Sequence, residues 1–354
     1  MFERRAPEQF DTLPEIPEPC ENPNLAGHAA IADRLAAAYR AGKLPHGLLF
    51  VGPPGIGKAT LAFRLAVHVL AHPDPATAPG RLAAPDRAGQ TARLVAQGAH
   101  PAVLHLTRPY ADKEKRFKTM ITVDEVRRVN RFLSLTAHDG SHRFVIVDPV
   151  DDMNANAANA LLKNLEEPPA RTVFVLIAQS AGRLLPTIRS RCQVMRFQPL
   201  DDDALLAALE GAGADLPQDP AARRALAGRS LGSARNAILL TQYGGLEIAA
   251  ESEALLSTGR FDIVRAQRLA DALTGRDKAV QFTIFNRHLF DLVAARAAAA
   301  AEAGDVAAAA HAARLCETLT ESVRQAETYN LDRRQHVVGT LQTLHAAFAG
   351  RPAN

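Results

Sequence analysis

Gly52-Pro53-Pro54-Gly55-Ile56-Gly57-Lys58-Ala59-Thr60 has the residue types and spacing to hold phosphate. Glycines let successive backbone N–H groups turn toward phosphate oxygens, and the N-terminus of a following helix and the Lys58 charge add attraction. Hydrolysis needs more. The residue after the lysine should offer a hydroxyl to Mg²⁺, and Ala59 has none. Thr60, turned by about 100° on a helix, is a poor replacement. In Phe144-Val145-Ile146-Val147-Asp148-Pro149, Asp148 stands where a metal-orienting carboxylate belongs, but Pro149 has no carboxylate to polarise an attacking water. Asp151 and Asp152 lie two and three residues further along the chain, out of place for that task. Two readings of the loop stay open: a degenerate site for ATP or ADP, and a loop kept for its shape.

These residues need a strand, a turn and a helix to position them. Gly47–Val51 is a short continuous apolar run that leads straight into the glycines, as a buried parallel strand would. Ala59 to Leu70 supplies the helix, with Leu61, Leu65 and Val69 along one face. Upstream, Ile31 to Leu44 has helical spacing. Residues 72–98 are rich in Pro, Ala, Gly and Arg without a clear period, and read as an exposed insertion. Apolar runs at Phe144 to Val147 and Val173 to Ala178 alternate with helical patterns, which argues for a parallel three-layer α/β domain. Beyond Pro199 the strand signal disappears. Asp202 to Leu209, Ala221 to Leu226 and Ser233 to Tyr243 read as three short helices of a lid, and the last third is helical. The expected domains are 1–198, 199–244 and 245–354.

A chain of 354 residues is too long for one ordinary core. With 47% hydrophobic and 22% charged residues it belongs among folded chains, not disordered ones. No apolar run approaches the roughly 18 residues that would span a bilayer. Met1-Phe2-Glu3-Arg4-Arg5 leads into acidic, proline-bearing sequence instead of a signal-peptide core, so the expected location is cytoplasmic. Cys20, Cys192 and Cys316 are too scattered for a zinc site, and reduced thiols are expected. His68 and His72, one helical turn apart, read as surface histidines. Lys113, Lys115, Arg116 and Lys118, with Arg127, Arg128 and Arg131, are interleaved with Asp112, Glu114, Asp124 and Glu125 and read as a solvated mixed-charge surface.

Two longer segments carry a family likeness. Asn156-Ala157-Ala158-Asn159-Ala160-Leu161-Leu162-Lys163-Asn164-Leu165-Glu166-Glu167-Pro168-Pro169 and Leu184-Leu185-Pro186-Thr187-Ile188-Arg189-Ser190-Arg191-Cys192 resemble the bacterial clamp-loader branch of the AAA+ family. The likeness extends from about Asn22 to Tyr243 and implies an AAA+ P-loop parallel-sheet domain, a small helical lid and an all-α C-terminal collar domain for oligomerisation. It also implies a part in the DNA polymerase III holoenzyme. The implied partners are gamma or tau motor subunits and the delta subunit, with the sliding clamp and primer-template DNA reached through the complex.

By that resemblance Arg191 is an arginine finger, delivered in trans to charge that develops on a phosphate held by the next subunit. Arg235, in Gly232-Ser233-Ala234-Arg235, is similar to the family's second sensor; it either contacts phosphate or ties the lid to the core. The first sensor falls at Ala178 or Gln179, where neither Thr nor Asn stands. Many relatives of this kind carry a four-cysteine zinc module that residues 72–100 lack, so no zinc is expected. The disarmed loop implies a subunit without ATPase activity of its own. The alternative is a hydrolysing motor subunit of the gamma or tau type.

Overall fold

The apolar pentapeptide Gly47–Val51 (β1) lies inside a five-stranded parallel sheet, and all five of its residues are buried. In this computed structural model the described residues are 3–134, 141–180, 182, 184–275, 278–329 and 331–349. Around β1 run α1 (Ala29–Arg40), α2 (Lys58–Ala71), α3 (Gln90–Ala96), β2 (Val103–Leu106) and a small antiparallel pair, β3 (Tyr110–Ala111) and β4 (Arg116–Phe117). There follow α4 (Val123–Ser134), β5 (Arg143–Val147), α5 (Ala155–Glu166), β6 (Thr172–Ala178), α6 (Pro186–Arg189) and β7 (Gln193–Arg196). The sheet order is β2-β5-β6-β1-β7, with every pairing parallel.

Strands β1 and β6 are apolar without alternation because each is flanked by strands and covered on both faces. The edge strands are shorter and more polar: β7 buries one residue in four, Met195. That is why β2 and β7 give no clear signal in the sequence, whereas β1, β5 and β6 do. Registry sets the functional end. Val51 pairs with both Ala178 and Arg196, and Val147 pairs with Leu176, so the residues after β1, β5 and β6 emerge together at one edge of the sheet.

The segment expected as an exposed insertion is built in part into the core. It holds a 3₁₀ turn at Pro75–Thr77 and helix α3, and Ala78, Leu82 and Val95 are buried. Their apolar side chains are spaced too irregularly to show a period. His68 also departs from expectation: it faces inward on α2, 6% exposed, with its ring edge-on to Tyr39. Among the described residues no group of His, Cys, Asp and Glu could hold a metal ion. The basic stretch has acid neighbours at hand: Arg127 pairs with Asp124 at 2.6 Å and Arg128 with Glu125 at 2.5 Å.

The chain divides into two compact units, Met1–Ala237 and Ile238–Asn354. Helices α7 (Asp202–Gly211) and α8 (Pro220–Ser230) follow the sheet, each started by an aspartate whose carboxylate accepts a backbone N–H, Asp201 from Ala204 and Asp219 from Ala222. Helix α9 (Ala234–Gln242) begins in the first unit. The second unit is helical: α10 (Gly245–Ser257), α11 (Ile263–Leu273), α12 (Ala279–Glu302), α13 (Val306–Thr328) and α14 (Arg333–Phe348). Its core joins Phe282, Phe285, Leu289 and Val293 of α12 to Val337, Leu341 and Leu344 of α14. These are the stripes visible at helical spacing in the sequence. Among the described residues no helix is long and apolar enough to cross a membrane.

Candidate functional site

The glycine loop joins β1 to α2 as its spacing requires. Gly55 and Gly57 take positive φ, 73° and 99°, which aims the loop back over the start of α2. Lys58 is buried, and its ammonium donates to the carbonyls of Gly52 at 2.7 Å and Pro53 at 2.5 Å. Burial pulls its pKa down, with Asp148 and Asp151 opposing. Asp148, at the end of β5, is pushed the other way: burial is the larger cause, Asp11 adds to it, and Lys58 opposes. Lysine and aspartate thus form one electrostatic unit at the edge where the strands end. Ile56 is buried, and Thr60, also buried, belongs to the packed interior of α2.

The two acids beyond Pro149 are both engaged. Asp151 accepts the backbone N–H of Gln179 at 2.7 Å and of Ser180 at 3.4 Å, which ties the turn after β5 to the end of β6. Asp152 pairs with Arg108 at 2.6 Å; burial raises its pKa and that guanidinium opposes the rise. Both carboxylates are thus engaged in contacts that hold the turn after β5. Sequence alone placed them too far along the chain; the structure adds the bonds that hold them.

The lid segment Gly232 to Arg235 rests directly on the loop. Ser233 Oγ donates to the Pro54 carbonyl at 2.9 Å, and the Ala234 N–H donates to Gly55 O at 3.0 Å. A Cβ on Gly55 would come within 2.3 Å of Arg235 Cβ, so this closeness requires glycine. The Arg235 guanidinium extends to Asp11, Nη1 to Oδ2 3.4 Å. His28 adds a bond from the other side, its Nε2 2.7 Å from the Ile56 carbonyl. Loop, lid and N-terminal segment converge on residues 52–58.

Arg191 belongs to a different place, the turn between α6 and β7. Its guanidinium pairs with Glu166 at the C-terminal end of α5, 2.6 Å away, and donates to the Thr187 carbonyl at 2.9 Å. The side chain stays about one third exposed, 32%. Cys192 beside it is buried, and burial raises its thiol to about 11. Asp11 and Arg108 lie in no motif read from the sequence, since each acts through a partner remote along the chain.

Taken together, strand order and loop geometry define a P-loop protein of the AAA+ type. A family model described as DNA polymerase III, delta subunit matches residues 27–201. Subunit delta' of DNA polymerase III from Pseudomonas aeruginosa is 41% identical over 178 residues, which is 50% of this chain and 49% of that one. The subunit of the same name from Escherichia coli is 33% identical over 193 residues, 50% of this chain and 54% of that one. A solved gamma subunit-related protein from Thermotoga maritima covers 89% of this chain and 99% of its own at 17% identity, with a TM-score of 0.41. Over about half of its length the chain is similar to the delta' subunits of bacterial DNA polymerase III. It spans about half the length of the curated relatives it matches.

Proposed function

We propose that this chain is a non-hydrolysing subunit of the replicative clamp loader, which supports the ring and lends Arg191 to the ATPase site of a neighbouring subunit. What carries the reading is the state of the acids around Asp148. Pro149 has no carboxylate, Asp151 is bonded to two backbone N–H groups, and Asp152 is paired with Arg108. With no base to orient water and no hydroxyl at Ala59 for Mg²⁺, the loop lacks both requirements of its own hydrolysis. If a nucleotide sits here, residues 52–60 and Arg235 would hold its phosphates and Asp148 its metal; the chain's own residues then bind and orient without driving a reaction.

Arg191 supports the second half of the reading. It is one-third exposed in the turn between the short helix α6 and edge strand β7, where a neighbour in a ring can present a phosphate. A guanidinium suits the charge spread over a transferring phosphoryl group, and its planar fork loses little freedom on binding. The proposed partners are gamma or tau motor subunits and a delta subunit, with the clamp and primer-template DNA met through the assembly. In this reading residues 199–244 are the lid and 245–354 the collar that holds the ring.

The purified chain should release no phosphate from ATP above the rate of a Lys58→Ala control. Steady turnover abolished by Lys58→Ala would instead identify a motor subunit.

A further inference from the structure

The segment from Glu3 to Asn22 has no helix or strand, yet its course is fixed by its own bonds. Arg4 pairs with Glu18 at 2.6 Å and donates to the carbonyls of Leu13 at 2.7 Å and Ile16 at 3.1 Å. Thr12 Oγ1 donates to the same Glu18 carboxylate at 2.5 Å. The Glu21 carboxylate accepts the N–H groups of Arg5 at 2.6 Å and Ala6 at 3.1 Å. Ala6, Leu13 and Glu18 are buried. Ordering so many irregular residues costs backbone entropy, so the bonds select one path from many.

That path brings the bend of the segment to the phosphate loop's mouth. The Phe10 ring lies under the Arg108 guanidinium, 4.2 Å from its centroid, and Arg108 is in turn bonded to Asp152. Asp11 reaches Arg235, the lid cation whose Cβ stands against Gly55. The same Asp11 is near enough to Asp148 and Asp152 to disfavour their ionised forms. Three acids in one place repel one another, and Arg235 and Arg108 are the cations that offset them. A phosphate tail would add further negative charge and needs the same lid arginine, so tail and Asp11 exclude each other.

We propose that residues 3–22 form an internal stopper of the phosphate loop, in which Asp11 supplies from within the chain the anion that Arg235 would otherwise take from a nucleotide. Phe10 seals the side toward Asp152 by stacking on Arg108. Nucleotide then binds in the fraction of molecules whose stopper has swung away, and its apparent affinity falls by that fraction. The inference rests on residues 52–60 being a phosphate-holding loop, and it is independent of whether Arg191 serves a neighbour.

The test is a fluorescence-anisotropy titration of a fluorescent ATP analogue with Mg²⁺ against the full chain and its Phe10→Ala/Asp11→Ala variant. The variant should bind about tenfold tighter or more, and adding Lys58→Ala should erase the gain. Asp11→Asn keeps the shape of the segment; it should shift the affinity the same way by a smaller factor, and it decides the matter if the double variant melts early. Equal affinities for wild type and Asp11→Asn, including no binding by either, overturn the stopper. So does a gain that survives Lys58→Ala. Loss of the Arg191 effect in an assembled complex would leave these results untouched.

Discussion

Arg191 and Glu166 form an ion pair, Nη2 to Oε1 2.6 Å, that ties the turn before β7 to the C-terminal end of α5. An arginine that serves a neighbouring site must exchange this carboxylate for phosphate. Both side chains are substantially exposed, 32% and 47%, so the exchange gives up a pair worth no more than about 1 kcal/mol. The contact orients the guanidinium without locking it.

Arg191→Ala should therefore leave the fold intact and lower ATP turnover at the neighbouring site of the reconstituted complex by about 1,000-fold or more, the scale of arginine fingers delivered in trans. Glu166→Gln should change stability by less than about 1 kcal/mol, measured by urea unfolding. Unchanged turnover in the Arg191→Ala complex would remove this residue from the mechanism.

Gly55→Ala tests the seating of the lid on the loop. The added Cβ meets Arg235 Cβ at 2.3 Å and Ser233 Oγ at 2.6 Å, at a φ of +73°. A loss of roughly 1–3 kcal/mol is expected from strain and overpacking together. Gly213→Ala, at a φ of +71° with nothing within 4 Å, carries the backbone strain alone and should cost less. Equal midpoint shifts for the two variants would show that the lid does not bear on the loop.

Acidification should weaken the fold through His68. Burial, with a smaller push from His72, lowers its pKa from 6.5 to about 4, so in that interval the unfolded chain binds a proton that the folded chain refuses. Stability from this group falls as pH drops from 6.5 toward 4. Asp148, with its pKa raised in the fold, acts oppositely: its contribution is present at low pH and is lost as pH rises through the raised value. His68→Phe should flatten the acid limb of a stability–pH curve relative to wild type. A curve of unchanged slope would place His68 in water.

All three thiols should react slowly in the native protein. Burial pushes Cys20 up to about 12 and Cys192 to about 11, and raises Cys316 as well, so little thiolate exists near neutrality. A chromogenic disulfide reagent at pH 7.5 should label the chain fully in denaturant and sluggishly without it, in keeping with about one thiolate per thousand thiols or fewer at Cys20 and Cys192. Rapid labelling of Cys20 in native buffer would mean that residues 3–22 do not hold their place.

The sequence by itself determined the chemistry at each position. Ala59 has no hydroxyl and Pro149 no carboxylate in any fold, and an unbroken apolar run such as Gly47–Val51 must be covered on both faces. Helical stripes at Phe282 to Val293 and Val337 to Leu344 likewise announced their own core, because periodicity is a local property. Tertiary structure decided who meets whom. That Asp151 would hold Gln179, that Glu166 would hold Arg191, and that Asp11 would reach Arg235 from the far end of the first unit's sequence depended on the sheet order and on how the lid sits over the loop. Short edge strands and an aperiodic leader stayed illegible for one physical reason: their conformations are selected by distant partners, and a side chain's neighbours in space leave no mark on its neighbours in sequence.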